Sequence, residues 1–426
     1  MISPTLAHVL LPAIVAVSIV LMLIRPRNIP EVYWIGGGVG SLLLLRLISL
    51  PLAGHALLKA VDVCLFLIGM MLLSELAREH GLFDWISAIA VRNARGSCVR
   101  LFTLVYIVGT VVTIFMSNDA TAVVLTPAIL TAVRKARVPP LPHLFVCALI
   151  ANAASFVLPI SNPANLVVFH NAMPPLGKWL IAFGVPSVLS ILITYVVMRR
   201  LFRRELRATV ENSVELHPLN GNGKLVLVSL GAMVAVLLAA SALGTDLGLP
   251  TCLVAVVITT GVCLKEKSNP LPLLREISWE TLALVGGLFI LVDAMESIGA
   301  MRYTQQWLAW AQGMGNVAGE LITGFAVGIA NNLVNNLPLG LIAGSTLLSA
   351  HAAGPIAQAV MIGVDLGPNL SITGSLATIL WLIALRKEKI EVTFADFLKI
   401  GAVAMPIALL ASLAGSTLCT SCSSLT

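Results

Sequence analysis

Segments of about 20 mostly apolar residues recur along almost the whole chain, and they limit the folds that it can adopt. A segment of this length spans the hydrocarbon core of a bilayer as a helix, in which every backbone polar group finds a partner. The chain has 426 residues, of which 58% are hydrophobic and 11% are charged. It therefore has room for about ten spans and little else. The sequence predicts an all-α polytopic membrane protein.

The basic residues indicate how these spans are oriented. The net charge of +6 does not predict nucleic-acid binding, because the basic residues stand mostly at the ends of apolar segments, where cytoplasmic loops carry them. Arg25 and Arg27 follow the first apolar run instead of preceding it, so this run is a span and not a cleavable signal. The pattern places both termini on the outer side of the plasma (inner) membrane.

A polar stretch interrupts the apolar sequence at residues 117–121. In a soluble protein Ser117, Asn118 and Asp119 would be interpreted as a helix N-cap. Within a membrane, an acidic group costs at least about 2.5 kcal/mol, so the stretch is expected to line a wet site as well. Basic clusters stand on both sides, at Arg100 and Arg134. The two arms therefore form a re-entrant hairpin that enters from the cytoplasm.

Three further polar breaks follow. A span is broken at 159–165, between Pro159 and Asn165, because two prolines four residues apart are unlikely in one regular helix. Amides between apolar arms at 331–338 predict a second hairpin tip, which enters from the outer side. A second broken helix lies at 365–378. Nearer the start of the chain, the second span is predicted from Tyr33 to Leu52.

The order of these parts occurs twice, which predicts an inverted repeat. The first repeat covers residues 1–204 and the second covers 224–426, with a polar cytoplasmic linker at 205–223. One constant offset places Gly81 on Gly299 and Asn118 on Asn336. A slightly smaller offset places Pro159–Asn165 on Ile372–Thr378. The substrate site is expected where the two tips and the two broken helices meet.

At these breaks the chain resembles the arsenical pump membrane proteins of the ion-transporter superfamily. The first matching motif is N-D-x-x-A-x-x-L-T-P at residues 118–127, and the second is N-N-x-P at residues 335–338. The third is D-L-G-P at residues 365–368, followed by G-S-L-A-T at residues 374–378. The chain departs from the family pattern at Asn369, where the family carries a lysine.

The resemblance implies an inverted-repeat fold and export of trivalent arsenite or antimonite in exchange for protons. It also implies that a cytosolic, arsenite-stimulated ATPase is a partner in some members. Arsenite is chiefly neutral As(OH)₃, so hydroxyl and amide groups that both donate and accept hydrogen bonds suit it. The predicted substrate-binding residues are Ser117, Asn118, Thr121, Asn162, Asn165, Asn335, Asn336, Asn369, Thr373, Ser375 and Thr378.

Proton exchange needs a titratable group within reach of the substrate, and Asp119 and Asp365 are the predicted pair. Burial disfavours the charged form of a carboxyl group, which brings protonation into the working range. Glu75, Asp293 and Glu296 are weaker candidates, because each lies near the end of a span where water can reach it.

The sequence also bears on ATP use, on cofactor and metal sites, on the last two cysteines and on other kinds of transporter. The chain has no G-x-x-x-x-G-K-[ST] motif, so ATP use would require a partner. The seven histidines are dispersed without ligand spacing, and no cofactor or metal site is predicted. Cys419 and Cys422 are interpreted as part of a polar tail on the outer side, without a role in binding. The alternatives are a sodium/proton antiporter, a dicarboxylate carrier of the same fold, and the membrane subunit of an ATPase-driven pump.

Overall fold

The computed structural model describes residues 4–170, 173–211 and 218–423, and every named element in these ranges is a helix. The all-α fold is therefore confirmed. The first half contains α1 (Pro4–Ile24), α2 (Glu31–Leu44), α3 (Leu50–Glu79), α4 (Leu82–Asn93), α5 (Cys98–Met116), α6 (Thr126–Lys135), α7 (Pro140–Ala153), α8 (Pro163–Val168) and α9 (Leu176–Leu201). The second half contains α10 (Gly221–Ala242), α11 (Gly248–Glu266), α12 (Leu271–Glu276), α13 (Trp279–Ser297), α14 (Met301–Gly313), α15 (Asn316–Val334), α16 (Asn336–Ser349), α17 (Pro355–Leu366), α18 (Leu376–Lys387) and α19 (Phe394–Ser423).

Seven of the described helices are long and apolar enough to cross a membrane, and the bent pair α13 and α14 makes an eighth span if it is counted as one. The seven are α3, α5, α9, α10, α11, α15 and α19. Two of them, α5 and α15, are the first arms of the predicted hairpins. The apolar helices α7 and α16 are shorter, at 14 residues each, because polar breaks interrupt the membrane segments there.

Both hairpin tips reverse through a residue with positive φ. Ser117 ends α5 at φ 90° and ψ 160°, and Asn335 ends α15 at φ 77° and ψ 152°. Residues other than glycine rarely adopt this conformation, and it costs about 1–3 kcal/mol where the surroundings impose it. The offset that places Asn118 on Asn336 also places Ser117 on Asn335. The two tips thus share an unusual backbone conformation.

The two broken spans also share their local geometry. In the first, a 3₁₀ turn at Pro159–Ser161 leads to Asn162, whose side chain caps α8 by accepting from the Ala164 N–H at 3.0 Å. In the second, a 3₁₀ turn at Ile372–Gly374 leads to Ser375, whose hydroxyl caps α18 by accepting from the Thr378 N–H at 3.1 Å. Each break therefore starts a short helix inside the protein. The opposite orientation of the two halves in a membrane stays a prediction.

Two boundaries differ from the sequence-based expectation. The predicted second span runs to Leu52, but α2 ends at Leu44 and α3 already begins at Leu50. Arg46 occupies the turn between them with φ 54°, so its charge lies at the end of the span and not inside it. The Ser49 hydroxyl caps α3 by accepting from the Leu52 N–H, which fixes the start of that helix.

The predicted linker, residues 205–223, is only partly described. It begins with a 3₁₀ turn at Glu205–Arg207, and its Thr209 forms an isolated β-bridge with Ser97. Residues 212–217 lie outside the described residues. Helix α10 begins at Gly221, three residues before the predicted start of the second repeat at residue 224. The division of the chain at this linker stays a prediction.

Candidate functional site

A small cavity lies where the two tips meet the two broken spans. Its volume is about 10 Å³, which is room for about one water molecule. Asn118 and Asp119 reach it from the first tip, Asn162 from the first broken span and Asn336 from the second tip. The remaining lining residues are Leu67, Pro163, Thr281, Leu337, Leu376 and Ala377.

The cavity has polar groups that no protein partner satisfies. The Oδ1 atoms of Asn118 and Asn336 are buried without a hydrogen-bond partner, and their side chains are 2% and 3% exposed. Leaving a buried acceptor unpaired costs about 1–3 kcal/mol. These two amides come from opposite tips and line the same cavity, so a ligand with hydroxyl donors would satisfy both. Asp119 beside them is half-buried.

Asp365 is linked to this cavity through one hydrogen bond. The Asn162 Nδ2 atom donates to Asp365 Oδ1 at 2.7 Å, while Asp365 Oδ2 is buried without a partner. Asp365 is fully buried near the end of α17. Asn162 therefore stands between the cavity and the second predicted carboxyl group.

The other predicted residues hold the breaks in shape and do not line the cavity. Asn165 donates from Nδ2 towards the carbonyls of Ser155 and Leu158, at 2.9 and 3.2 Å. Thr121 shares a 2.8 Å hydrogen bond with the Thr113 hydroxyl on α5. Ser117 is 3% exposed and forms the turn of its tip.

In the second half, the same supporting pattern recurs. Asn335 donates to the Thr373 carbonyl at 3.3 Å, and the Thr373 hydroxyl donates to the Asn332 carbonyl at 2.9 Å. These bonds tie the second tip to the second broken span. Ser375 and Thr378 share a 2.9 Å bond between their hydroxyl groups.

Asn152 is a central residue that the sequence analysis missed. Its Nδ2 atom donates to Asn369 Oδ1 at 2.9 Å across 217 residues of sequence, and it lies 3.5 Å from the Thr378 hydroxyl. Asn369 in turn donates to the Leu149 carbonyl at 3.0 Å. The available signal was the repeat offset, which places Asn152 on Asp365. Asn152 and Asn369 thus form an amide pair that joins the two halves.

The weaker carboxylate candidates lie in other surroundings. Asp293 accepts from Lys59 Nζ at 2.9 and 3.0 Å, and Glu75 pairs with Arg78 one turn along α3. Glu296 is exposed near the end of α13. The side chains of Cys419 and Cys422 lie outside the described residues.

The charge of the cavity lining limits what it can bind. No described residue that lines it is lysine, arginine or histidine. Among the described residues, no group of three or more His, Cys, Asp or Glu side chains could hold a metal ion. The cavity therefore offers neutral amides, one carboxyl group and the N-terminal ends of two short helices. The amides and the carboxyl group suit a small neutral hydroxylated molecule. The helix N-termini favour negative charge, but no cationic side chain in the described lining adds to them.

Comparisons with known proteins agree with a transporter. An arsenical pump membrane protein of Yersinia enterocolitica is 26% identical over 348 residues, which cover 79% of this chain and 81% of the relative. One of Escherichia coli is 25% identical over 408 residues, with coverage of 92% and 94%. The predicted resemblance to these proteins is confirmed. The YdaH transporter of Alcanivorax borkumensis has a similar fold, with a TM-score of 0.56 at 15% identity and 86% coverage of each chain.

The family model described as citrate transporter (CitMHS) matches residues 4–364. This match spans well over half of the chain, and the helices described above are those of a protein that crosses the membrane several times. The chain is therefore a membrane transporter, and it belongs to the citrate transporter family.

Proposed function

We propose that the protein is a secondary active transporter of the plasma membrane that exports trivalent arsenite or antimonite from the cytoplasm in exchange for protons. One observation carries the proposal. Two unpartnered amide oxygens, from Asn118 and Asn336, line one cavity together with the carboxyl group of Asp119. Three hydrogen-bond acceptors at one point match the three hydroxyl donors of As(OH)₃.

The carboxyl group at the cavity explains how substrate and proton exchange. A deprotonated Asp119 accepts a hydrogen bond from a substrate hydroxyl, whereas a protonated Asp119 has lost part of this capacity. Substrate and proton then compete for the same group. Asp365, held by Asn162, is the second member of the proposed coupling pair. Binding at one member is expected to change the hydrogen bonding of the other through Asn162.

The size of the cavity requires the tips to move. A volume of about 10 Å³ holds one water molecule and not a metalloid with three hydroxyl groups. The tips must therefore separate for the substrate to enter, which is the movement that alternating access through an inverted repeat provides. The matching backbone conformations of Ser117 and Asn335 support two equivalent moving tips.

Transport of citrate is the second candidate, because the family model carries that description. Citrate is a multiply charged anion, and a site for it is expected to contain cationic side chains. The described lining of the cavity carries none. Two further alternatives are a sodium-coupled carrier, with Asp119 as a sodium ligand, and a pump subunit driven by an ATPase partner. The transport experiment described next distinguishes both from the main proposal.

The test is arsenite uptake into inside-out vesicles with an imposed proton gradient, acidic inside, and no ATP. Wild type is expected to accumulate arsenite, and Asp119→Asn is expected to fall to the rate without a gradient. Asp246→Asn, which changes an exposed carboxylate between α10 and α11, is the matched control and should behave as wild type.

The other outcomes identify the alternatives. Full gradient-driven uptake by Asp119→Asn would contradict its role in coupling. Uptake that needs ATP and an added ATPase would favour the pump subunit. Uptake of citrate or a dicarboxylate, or a requirement for sodium, would replace arsenite by the corresponding substrate or coupling ion.

A further inference from the structure

A buried carboxyl group lies far from the cavity, in the first arm of the second hairpin. Glu320 is 1% exposed, and its Oε2 atom is buried without a hydrogen-bond partner. It stands four residues after the start of α15 at Asn316, about 6 Å along the helix axis. The tip at Asn335 lies about 22 Å further along. Glu320 is therefore separate from Asp119 and Asp365, and it is close to the predicted outer surface.

The two halves pack their first hairpin arm on their broken span in the same way. In the first half, a Cβ on Gly109 of α5 would lie 2.8 Å from Ile150 of α7. In the second half, a Cβ on Gly363 of α17 would lie 3.0 Å from Val327 of α15. The repeat offsets place Gly109 on Val327 and Ile150 on Gly363. These two helix contacts, the α5–α7 seam and the α15–α17 seam, are thus equivalent. The glycine belongs to the hairpin arm in the first seam and to the broken span in the second.

Two helical turns further out, the two seams differ in chemistry. Seven residues before this contact, the first seam contains Phe102, which packs edge-on against His143 with ring centroids 6.1 Å apart. Phe102 is fully buried. Seven residues before Val327, the second seam contains Glu320. A carboxyl group thus occupies, near the predicted outer side, the position that an aromatic ring fills near the predicted inner side.

No described ion pair compensates the burial of Glu320. The titratable side chains of α14 are Arg302 and Tyr303, and both are exposed at the start of that helix. Gly319, which precedes Glu320, packs on the other end of α14, at Ala311. Helix α17 carries Asp365 at its far end, and the described side chains of α19 include Asp396 and Lys399 at the opposite end. A charged carboxylate without a partner is costly in this setting, so the neutral form is favoured.

We propose that Glu320 is a further proton-binding site, which takes up a proton from water on the predicted outer side of the membrane. This inference rests on the proposed proton exchange. The carboxylate gains a proton from outer water and becomes a neutral carboxylic acid. It returns the proton to water on the same side when the hairpin arm, moving with its tip, changes its packing on α17 and α19, so the protonation of Glu320 sets how the transport rate follows the outer pH.

The first readout does not depend on any substrate. Infrared difference spectra of the reconstituted protein between neutral and acidic solution report the C=O stretch of carboxylic acids as they gain protons. Wild type is expected to show a band that Glu320→Gln lacks and that Asp246→Asn retains. Asp246 is an exposed carboxylate on the same predicted side. An unchanged band in Glu320→Gln would overturn the proposal even if arsenite is not the substrate.

The second readout is transport into inside-out vesicles, whose lumen faces the predicted outer side of the protein. With the pH of the cytoplasmic face held constant, the initial rate is measured as the lumen is acidified. Glu320→Gln is expected to lose this dependence, while it retains exchange of labelled arsenite without a gradient. Glu320→Asp, which keeps the carboxyl group, should restore the dependence. If Glu320→Gln and Glu320→Asp lose both activities together, the role is structural and the proposal fails.

Discussion

The space beside the two broken spans is filled differently at the predicted outer end and at the predicted inner end of the protein. At the predicted outer end, a cavity of about 720 Å³ lies between α8, α9, α16 and α17, with Val168 and Ala357 among its walls. At the predicted inner end, the equivalent space is packed. The repeat offset places Trp381 on Val168 and Leu144 on Ala357. Trp381 is fully buried, and its Nε1–H donates to the Leu144 carbonyl at 3.0 Å.

Aromatic rings and an ion pair complete the inner closure. Trp381 packs on Phe145 and Phe397 with centroid distances of 5.4 and 5.8 Å. Arg134 on α6 donates to a Glu388 carboxylate oxygen at 2.8 Å and to its backbone carbonyl at 2.9 Å. Two halves with the same backbone breaks thus differ in side-chain volume. In this conformation a cavity is present at the predicted outer end, and the equivalent space at the predicted inner end is packed.

Removing the indole of Trp381 has the largest expected effect on this comparison. Trp381→Ala deletes a fully buried ring, and we expect a loss of about 3–5 kcal/mol in stability. Thermal unfolding of the purified protein measures the loss, and hydrogen exchange of α7 and α18 should rise at the inner end. Trp381→Phe keeps most ring contacts and loses one hydrogen bond, so about 1 kcal/mol is expected.

Trp310→Ala is the control for that experiment, because Trp310 is 54% exposed on α14. Its effect should stay within about 0.5 kcal/mol. If Trp381→Ala were no more destabilising than Trp310→Ala, the inner end would not be closed by this ring, and the contrast between the two ends would disappear.

The outer end is sensitive to a smaller change, at Gly344 on α16. A Cβ there would lie 2.4 Å from the Val168 carbonyl oxygen, so Gly344→Ala must push α16 away from α8. Overpacking of this kind lowers the free energy of unfolding by about 1–3 kcal/mol. Thermal unfolding measures this loss, and vesicle transport measures its effect on activity. Gly184→Ala is the matched control on α9, because nothing lies within 4 Å of its Cβ. A loss of stability equal to that control would show that α8 and α16 are not held closely together.

The sequence predicted the breaks well, because the breaks are local. Prolines, amides and an aspartate between apolar runs indicate an interrupted membrane helix without knowledge of the partner. The meeting of the two tips also followed from the repeated order of parts. The structure places Asn118, Asp119, Asn162 and Asn336 at one cavity, and their role in binding stays a prediction.

The parts that the sequence did not reveal depend on contacts between distant segments. Asn152 stands in an apolar helix without any break, and its partner lies 217 residues away. Trp381 is one apolar residue among many until the fold places it over Leu144. Glu320 stands near the start of α15, directly after Gly319, and nothing in the local sequence indicates that its carboxyl group is buried. Its burial is a result of packing by helices from elsewhere in the half.

The ion pair between Arg134 and Glu388 should contribute least to the inner closure. Its side chains are 48% and 45% exposed, and water and salt weaken such pairs, so a coupling energy of about 0.2–1 kcal/mol is expected. A double-mutant cycle with Arg134→Ala and Glu388→Ala, measured by thermal unfolding at low and high salt, gives this energy. It should shrink at high salt, because ions screen exposed charges. A larger, salt-independent coupling would mean that charge, and not the buried ring of Trp381, holds the inner end closed.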